Sequence, residues 1–183
     1  MATTRERLAR AAIKLFVRYG LAATTTKQIA SAARLAEGTI YRYFPTKEEM
    51  AATLFRENYV ALVGALRGAA RGGDAPLERI AAMIARFYQL FDEDRDLFAF
   101  LFLAAPGQPT LPASVMTPVR FLRDTLGGLK SPHTTGAALE LTTQLVLGLV
   151  IRPPEATLLG QLSGPLAPRA AGVADAVRRL LHN

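Results

Sequence analysis

The segment Thr39-Ile40-Tyr41-Arg42-Tyr43-Phe44 gathers a hydroxyl, two phenols and a guanidinium within six residues. Such groups donate hydrogen bonds to phosphate oxygens and to the edges of bases. Ile40 and Phe44 stand at i and i+4, so on a helix both can turn inward as anchors. Thr39, Arg42 and Tyr43 are then left on other faces. The same aromatics could instead pack a small three-helix core, and residue types alone leave both readings open. Charge leans toward the first. The chain has 183 residues and a net charge of +7, and residues 1–50 hold nine Lys/Arg against four Asp/Glu. Residues 51–183 hold thirteen against eleven. Most of the excess therefore sits on the first quarter of the chain, and a polyanion is the natural partner of such an end.

Other constellations lead nowhere. Asp92-Glu93-Asp94-Arg95-Asp96 spaces carboxylates as a calcium loop does. Counted from Asp92, however, the sixth and twelfth positions are Leu97 and Leu103, where such a loop needs Gly and a bidentate Glu. A solvated turn with acids at a helix N-terminus is the simpler reading. His133 and His182 are the only histidines, and no acid is placed to orient His133 beside Ser131. With no cysteine, thiolate metal sites, disulfides and cysteine nucleophiles are excluded. No Gly-rich phosphate loop is present. No catalytic residue, metal or cofactor is expected, and a small helical enzyme lacks any convincing catalytic group. Residues 1–20 carry six charges and no long apolar core, so no signal peptide is expected. The uncharged stretch 97–119 is broken by Pro106, Pro109, Pro112 and Pro118. Its apolar run, Leu97–Ala105, is too short to span a bilayer. No membrane association is expected, and the composition is compatible with the cytoplasm.

The elements that must position the first segment follow from periodicity. Leu8, Ala11, Ala12, Leu15, Phe16 and Tyr19 make one apolar stripe, which predicts a helix over 4–19 with Thr3 or Thr4 as cap and Gly20 at the exit. A second short helix follows Thr24-Thr25 to about Ala33, and a third covers about Glu37–Tyr43 before Pro45. Thr46-Lys47-Glu48-Glu49 is a capping-box sequence opening a long helix to Gly72-Gly73. Further helices are expected over about 75–92, 94–104, 135–152 (ended by Pro153-Pro154) and 168–181. The Pro-rich segment 106–118 reads as a loop, or a loop leading into a helix that ends near Gly127-Gly128. No alternating pattern predicts a strand. The fold class is all-α, about nine helices, with a helix-turn-helix headpiece at 1–45 and a larger helical body at 46–183.

A longer pattern sharpens this. Ala11-Ala12 with Leu15-Phe16, then Gly20 through Thr24-Thr25-Thr26-Lys27-Gln28-Ile29-Ala30, Ala33, Gly38 through Phe44 and Lys47-Glu48-Glu49-Met50 resembles, without a gap, the headpiece of the TetR family of bacterial transcriptional regulators. The resemblance implies a homodimeric repressor that reads a palindromic double-stranded operator and is released by a small molecule held in the body. Carried over by position, Thr26, Tyr41 and Lys47 would contact phosphates. Lys27, Glu37, Thr39 and Arg42 or Tyr43 would lie nearest the bases. Thr25, Arg34 and Gly38 complete the expected DNA-facing set. Two positions depart from the family pattern. Arg34 stands where Gly is usual, so a left-handed backbone there would be strained. Ala36 stands where Ser or Thr usually caps the recognition helix, a loss of roughly 0.5–2 kcal/mol.

The body is rich in aromatics. Phe87, Tyr88, Phe91, Phe98, Phe102, Met116 and Phe121, with Gln144 as a polar contact, suit an apolar cavity for an apolar or amphipathic effector. Plain core packing is the alternative for each of them. The helices around 139–151 and 168–181 carry more apolar surface than a small protein easily buries. A two-fold four-helix interface through Leu145, Leu149, Val173, Val177 and Leu180 would cover it, as would burial within the chain. The competing reading of the whole is a helical apolar-ligand carrier or interaction module whose basic end is incidental. Thr26, Lys27, Tyr41 and Lys47 have no reason to cluster in such a carrier.

Overall fold

In a computed structural model, residues 2–104, 116–129 and 131–182 are described, and among them every regular element is helical. Helix α1 spans Thr4–Ala23; the Thr3 hydroxyl accepts from Glu6 N while the Glu6 carboxylate accepts from Thr3 N. Its regular path breaks at Gly20, whose φ of 78° suits a residue without Cβ. Helix α2 spans Thr26–Ala32, and α3 spans only Gly38–Tyr41. Helix α4 runs Lys47–Ala70, with Thr46 Oγ1 accepting from Glu49 N at 3.0 Å. Helix α5 spans Pro76–Glu93; α6 spans Arg95–Ala99 and passes into a π-helical turn, Phe100–Ala104. Helices α7, α8 and α9 span Pro118–Gly127, Gly136–Leu158 and Ala170–His182. Of the Pro-rich loop expected at 106–118, residues 106–115 lie outside the described residues, while Thr117 caps α7 ahead of Pro118.

The chain forms two compact units. Of the described residues, the first comprises 2–59 and 94–104. Its core is Leu8, Ala12, Phe16, Ile29, Ile40, Phe44, Met50 and Leu54, and Phe16 stacks on Phe100 of the π-helical turn. The headpiece thus shares a core with α6 and the turn after it. The second unit comprises, of the described residues, 60–93, 116–129 and 131–182. Helix α5 buries Ile80, Ile84, Phe87, Tyr88 and Phe91 in it and packs against α7 and α9. The Asp92 carboxylate fixes the approach to α9, accepting from the backbone N–H of Leu166 and Ala167 at 2.8 Å.

One expectation needs correction. Pro153-Pro154 does not end α8, which continues to Leu158. Two prolines remove the N–H partners of the Leu149 and Val150 carbonyls, a break that usually costs ~3 kcal/mol or more. The second of those carbonyls finds a substitute: the Tyr88 hydroxyl donates to Val150 O at 3.1 Å. Tyr88 is fully buried, and burial pushes its phenol ionisation up, so it remains a donor. Termination falls instead at Gly160, with φ 71°.

Candidate nucleic-acid interface

Ile40 and Phe44 are buried, as their i, i+4 spacing predicts, and they fasten a very short third helix to the headpiece core. Short-range bonds tighten this helix: Thr39 N donates to Ala36 O and Ile40 N to Glu37 O, both at 3.0 Å. Its N-cap, Glu37, makes no side-chain cap, in keeping with the Ala36 departure. Around these anchors the polar groups face out. Tyr41 and Tyr43 are 53% and 41% exposed, and Arg42 and Lys27 are exposed as well. None of the ion pairs among the described residues involves Lys27 or Arg42. A Cβ added at Gly38 would meet nothing within 4 Å, so its surroundings on that side are open.

The two sides of the motif are joined by a small polar cluster. Thr26 Oγ1 donates to Glu37 Oε1 at 2.6 Å and lies 3.4 Å from the Tyr41 hydroxyl. Glu37, expected near the bases, thus fixes the N-terminus of α2 against α3. Thr25 caps α2, its hydroxyl accepting from Gln28 N while the Gln28 amide oxygen accepts from Thr25 N. Sequence reading missed Gln28, although Thr25-x-x-Gln28 has the spacing of a capping box.

The turn geometry at Arg34 is now defined. Arg34 has φ 55°, and Leu35 N donates to Ala30 O while Arg34 N donates to Ser31 O, both at 2.9 Å. This is a Schellman termination with arginine in the left-handed position that glycine usually fills. Arg7, also missed, stabilises it from α1, donating to Ala33 O at 2.6 Å and Arg34 O at 3.2 Å. Thr24 was missed too; fully buried, it donates to Gly20 O at 2.7 Å and so closes the break in α1. Nothing in its residue type distinguishes this role from that of its exposed neighbours.

Lys47 is not simply a surface cation. Its ammonium donates to Thr24 O at 2.8 Å and Ala22 O at 3.3 Å. It lies 3.8 Å from the Glu48 carboxylate. It therefore pins the start of α4 to the α1–α2 junction. An ammonium has three donors, so one remains for a phosphate. The interface can accordingly offer fixed hydroxyls at the α2 N-terminus and exposed cations beside it.

The other expected sites are less unified. Phe98 and Phe102 stack at 5.7 Å within the first unit. Phe87, Tyr88 and Phe91 are buried along α5 in the second, with Met116 and Phe121 half-buried. Gln144 is exposed, beside Leu141 and Leu145 on the outer face of α8. Leu141, Leu145 and Leu149 form an exposed stripe, 64%, 47% and 37% accessible. Val173 and Leu180 are half-buried. Val177, expected at an interface, is 1% exposed because Ala170, Val177 and Leu181 make up the face of α9 that the chain itself buries. Among the described residues no helix is long and apolar enough to cross a membrane.

Residues 8–54 match the model of the bacterial regulatory proteins of the tetR family. The chain is 28% identical over 91 residues to the transcriptional repressor KstR2 of Mycolicibacterium smegmatis, covering 50% of this chain and 44% of that protein. It is 36% identical over 93 residues to the transcriptional regulator TcmR of Streptomyces glaucescens, covering 51% and 39%. The chain thus matches less than half the length of these curated relatives. Its fold is that of a FadR regulator from Bacillus subtilis solved with stearoyl-CoA: TM-score 0.75 at 20% identity, over 93% of this chain and 96% of that one.

Proposed function

We propose that the chain is a helix-turn-helix transcriptional regulator of the TetR type, a reading supported by the match of residues 8–54 and by the curated relatives, and that it is a repressor that binds a palindromic operator as a homodimer and leaves it when a small, largely apolar or amphipathic effector binds. The observation that carries the DNA half is the exposed set Thr25, Lys27, Tyr41, Arg42 and Tyr43 around a short helix anchored by Ile40 and Phe44. Thr26, Tyr41 and the third donor of Lys47 hold phosphates and fix register. Lys27, Thr39, Arg42 and Tyr43 read base edges, while Glu37 orients Thr26. Arg34 adds a phosphate contact from the turn, where Gly38 leaves room for the backbone to approach. The functional division falls between a DNA-reading part at 1–45 and an effector and dimer part at 46–183, and the site of action is the cytoplasm.

Dimerisation rests on the leucine stripe of α8. Leu141, Leu145 and Leu149 at i, i+4 and i+8 expose apolar surface that a second copy would cover, with Gln144 on the same face and Val173 and Leu180 beside it. The effector reading rests on the aromatic content of α5, and the amphipathic stearoyl-CoA in the Bacillus subtilis fold relative supports that class. Helix α4 begins at the headpiece, pinned by Lys47, and ends at Ala70, so it is the element through which release would be transmitted. The effector must favour the shape with low operator affinity; equal affinity for both would shift nothing. A panel of apolar and amphipathic compounds scored for release from operator DNA tests this. Release by sugars or simple ions alone would overturn the effector class.

A further inference from the structure

We infer that the corner between α4 and α5 is a binding site for the phosphate group of a small organic ester. A cleft of about 390 Å³ there is lined by Arg67, Ala70, Arg71, Arg79, Phe121 and Thr125, all within the second unit. That size lies at the lower end of the range usual for small-molecule sites. None of the ion pairs among the described residues involves any of its three arginines. Arg67 and Arg71 are spaced i, i+4, where like charges repel. The C-terminal dipole of α4 accounts for a cation at Arg67, but not for three guanidiniums around one cleft.

The acids nearby do not neutralise them. Glu78 turns its carboxylate to the N–H groups of Asp74 and Ala75, at 3.0 and 3.3 Å. Two of the arginines are held in place. Arg79 donates from Nε to Gly73 O at 3.0 Å, and the corner is tight: a Cβ on Gly73 would come 2.8 Å from Arg79 N. Arg67 lies over the Phe121 ring, 5.9 Å from its centroid. The Thr125 hydroxyl donates to Phe121 O at 2.8 Å, so the donors offered to a ligand are all guanidinium N–H. Guanidiniums match phosphate with paired hydrogen bonds and have no acceptor to offer a ligand donor. Phe121 and Ala70 supply an apolar wall for the organic part. The ligand class is therefore a phosphate monoester with a flat or apolar substituent. The binding itself does not rest on the regulator reading above.

Titration of the full chain, without DNA, with phenyl phosphate, inorganic phosphate and phenol tests the site. Phenyl phosphate should bind saturably and at least about tenfold more tightly than inorganic phosphate, with phenol not binding. R67Q/R71Q should weaken phenyl phosphate at least about tenfold while keeping the melting temperature, since removing like charges relieves repulsion. F121L should bring phenyl phosphate to the level of inorganic phosphate. No saturable binding at millimolar phenyl phosphate, or an R67Q/R71Q protein that binds it unchanged, overturns the site. Equal affinity for inorganic phosphate overturns the ester. If the chain binds no operator yet holds phenyl phosphate through these arginines, the regulator reading fails and the site stands.

Discussion

Lys47 separates two roles that residue type cannot distinguish. Tyr41→Phe should weaken DNA binding to all sequences alike, because phosphates carry no base identity, and should leave stability unchanged. Lys47→Ala should weaken binding in the same uniform way and also destabilise the fold by about 1.5–3 kcal/mol, since two backbone carbonyls lose a charged donor. Thermal melts beside operator titrations separate the two effects; an unchanged melting temperature would assign Lys47 to DNA alone. Lys27→Ala and Arg42→Ala should instead redistribute operator preference by about 1–3 kcal/mol per lost base contact. Arg34→Gly provides a further check. Glycine relaxes the left-handed backbone at φ 55°, and a gain of up to about 1 kcal/mol, roughly 2–4 °C, is expected. A lower melting temperature would mean that the arginine side chain itself stabilises the turn.

At the scale of elements, Tyr88 and Pro154 form a testable pair. Tyr88→Phe should leave the Val150 carbonyl unsatisfied and cost about 1–3 kcal/mol in urea unfolding. Adding Pro154→Ala restores a backbone N–H to the same carbonyl, so the double variant should recover part of that loss. Strict additivity would show that the hydroxyl does not replace the missing helix bond. This pair also marks a limit of sequence reading. The prolines at 153 and 154 signalled a helix end, and only a tyrosine 62 or more residues away in sequence supplies what they remove. The headpiece was more legible because its signals are local: a threonine cap at 3 or 4, Gly20 and the Ile40–Phe44 spacing all do what neighbouring residues demand. Arg7 and Thr24 escaped because their partners lie on another turn or another helix. Val177 misled for a related reason. An apolar stripe announces burial but not whether the cover comes from the same chain or a second one.

For the whole molecule, the α8 stripe is the cleanest probe of assembly, because its leucines are already exposed and their replacement leaves the chain's own core intact. Leu145→Glu or Leu149→Glu would bury an unpaired charge in a dimer, which is costly. Sedimentation should show monomers with unchanged helical content and poor operator affinity. A persistent dimer would place the interface elsewhere. The claim on which the rest depends is sequence-specific DNA binding, and selection of bound duplexes from random DNA, repeated across a salt series, tests it most directly. The selected sites should be palindromic, with half-site centres about one helical turn or more apart, and affinity should fall steeply with salt as released counterions no longer favour binding. Recovery of no sequence preferred over random DNA, or an affinity indifferent to salt, would contradict it.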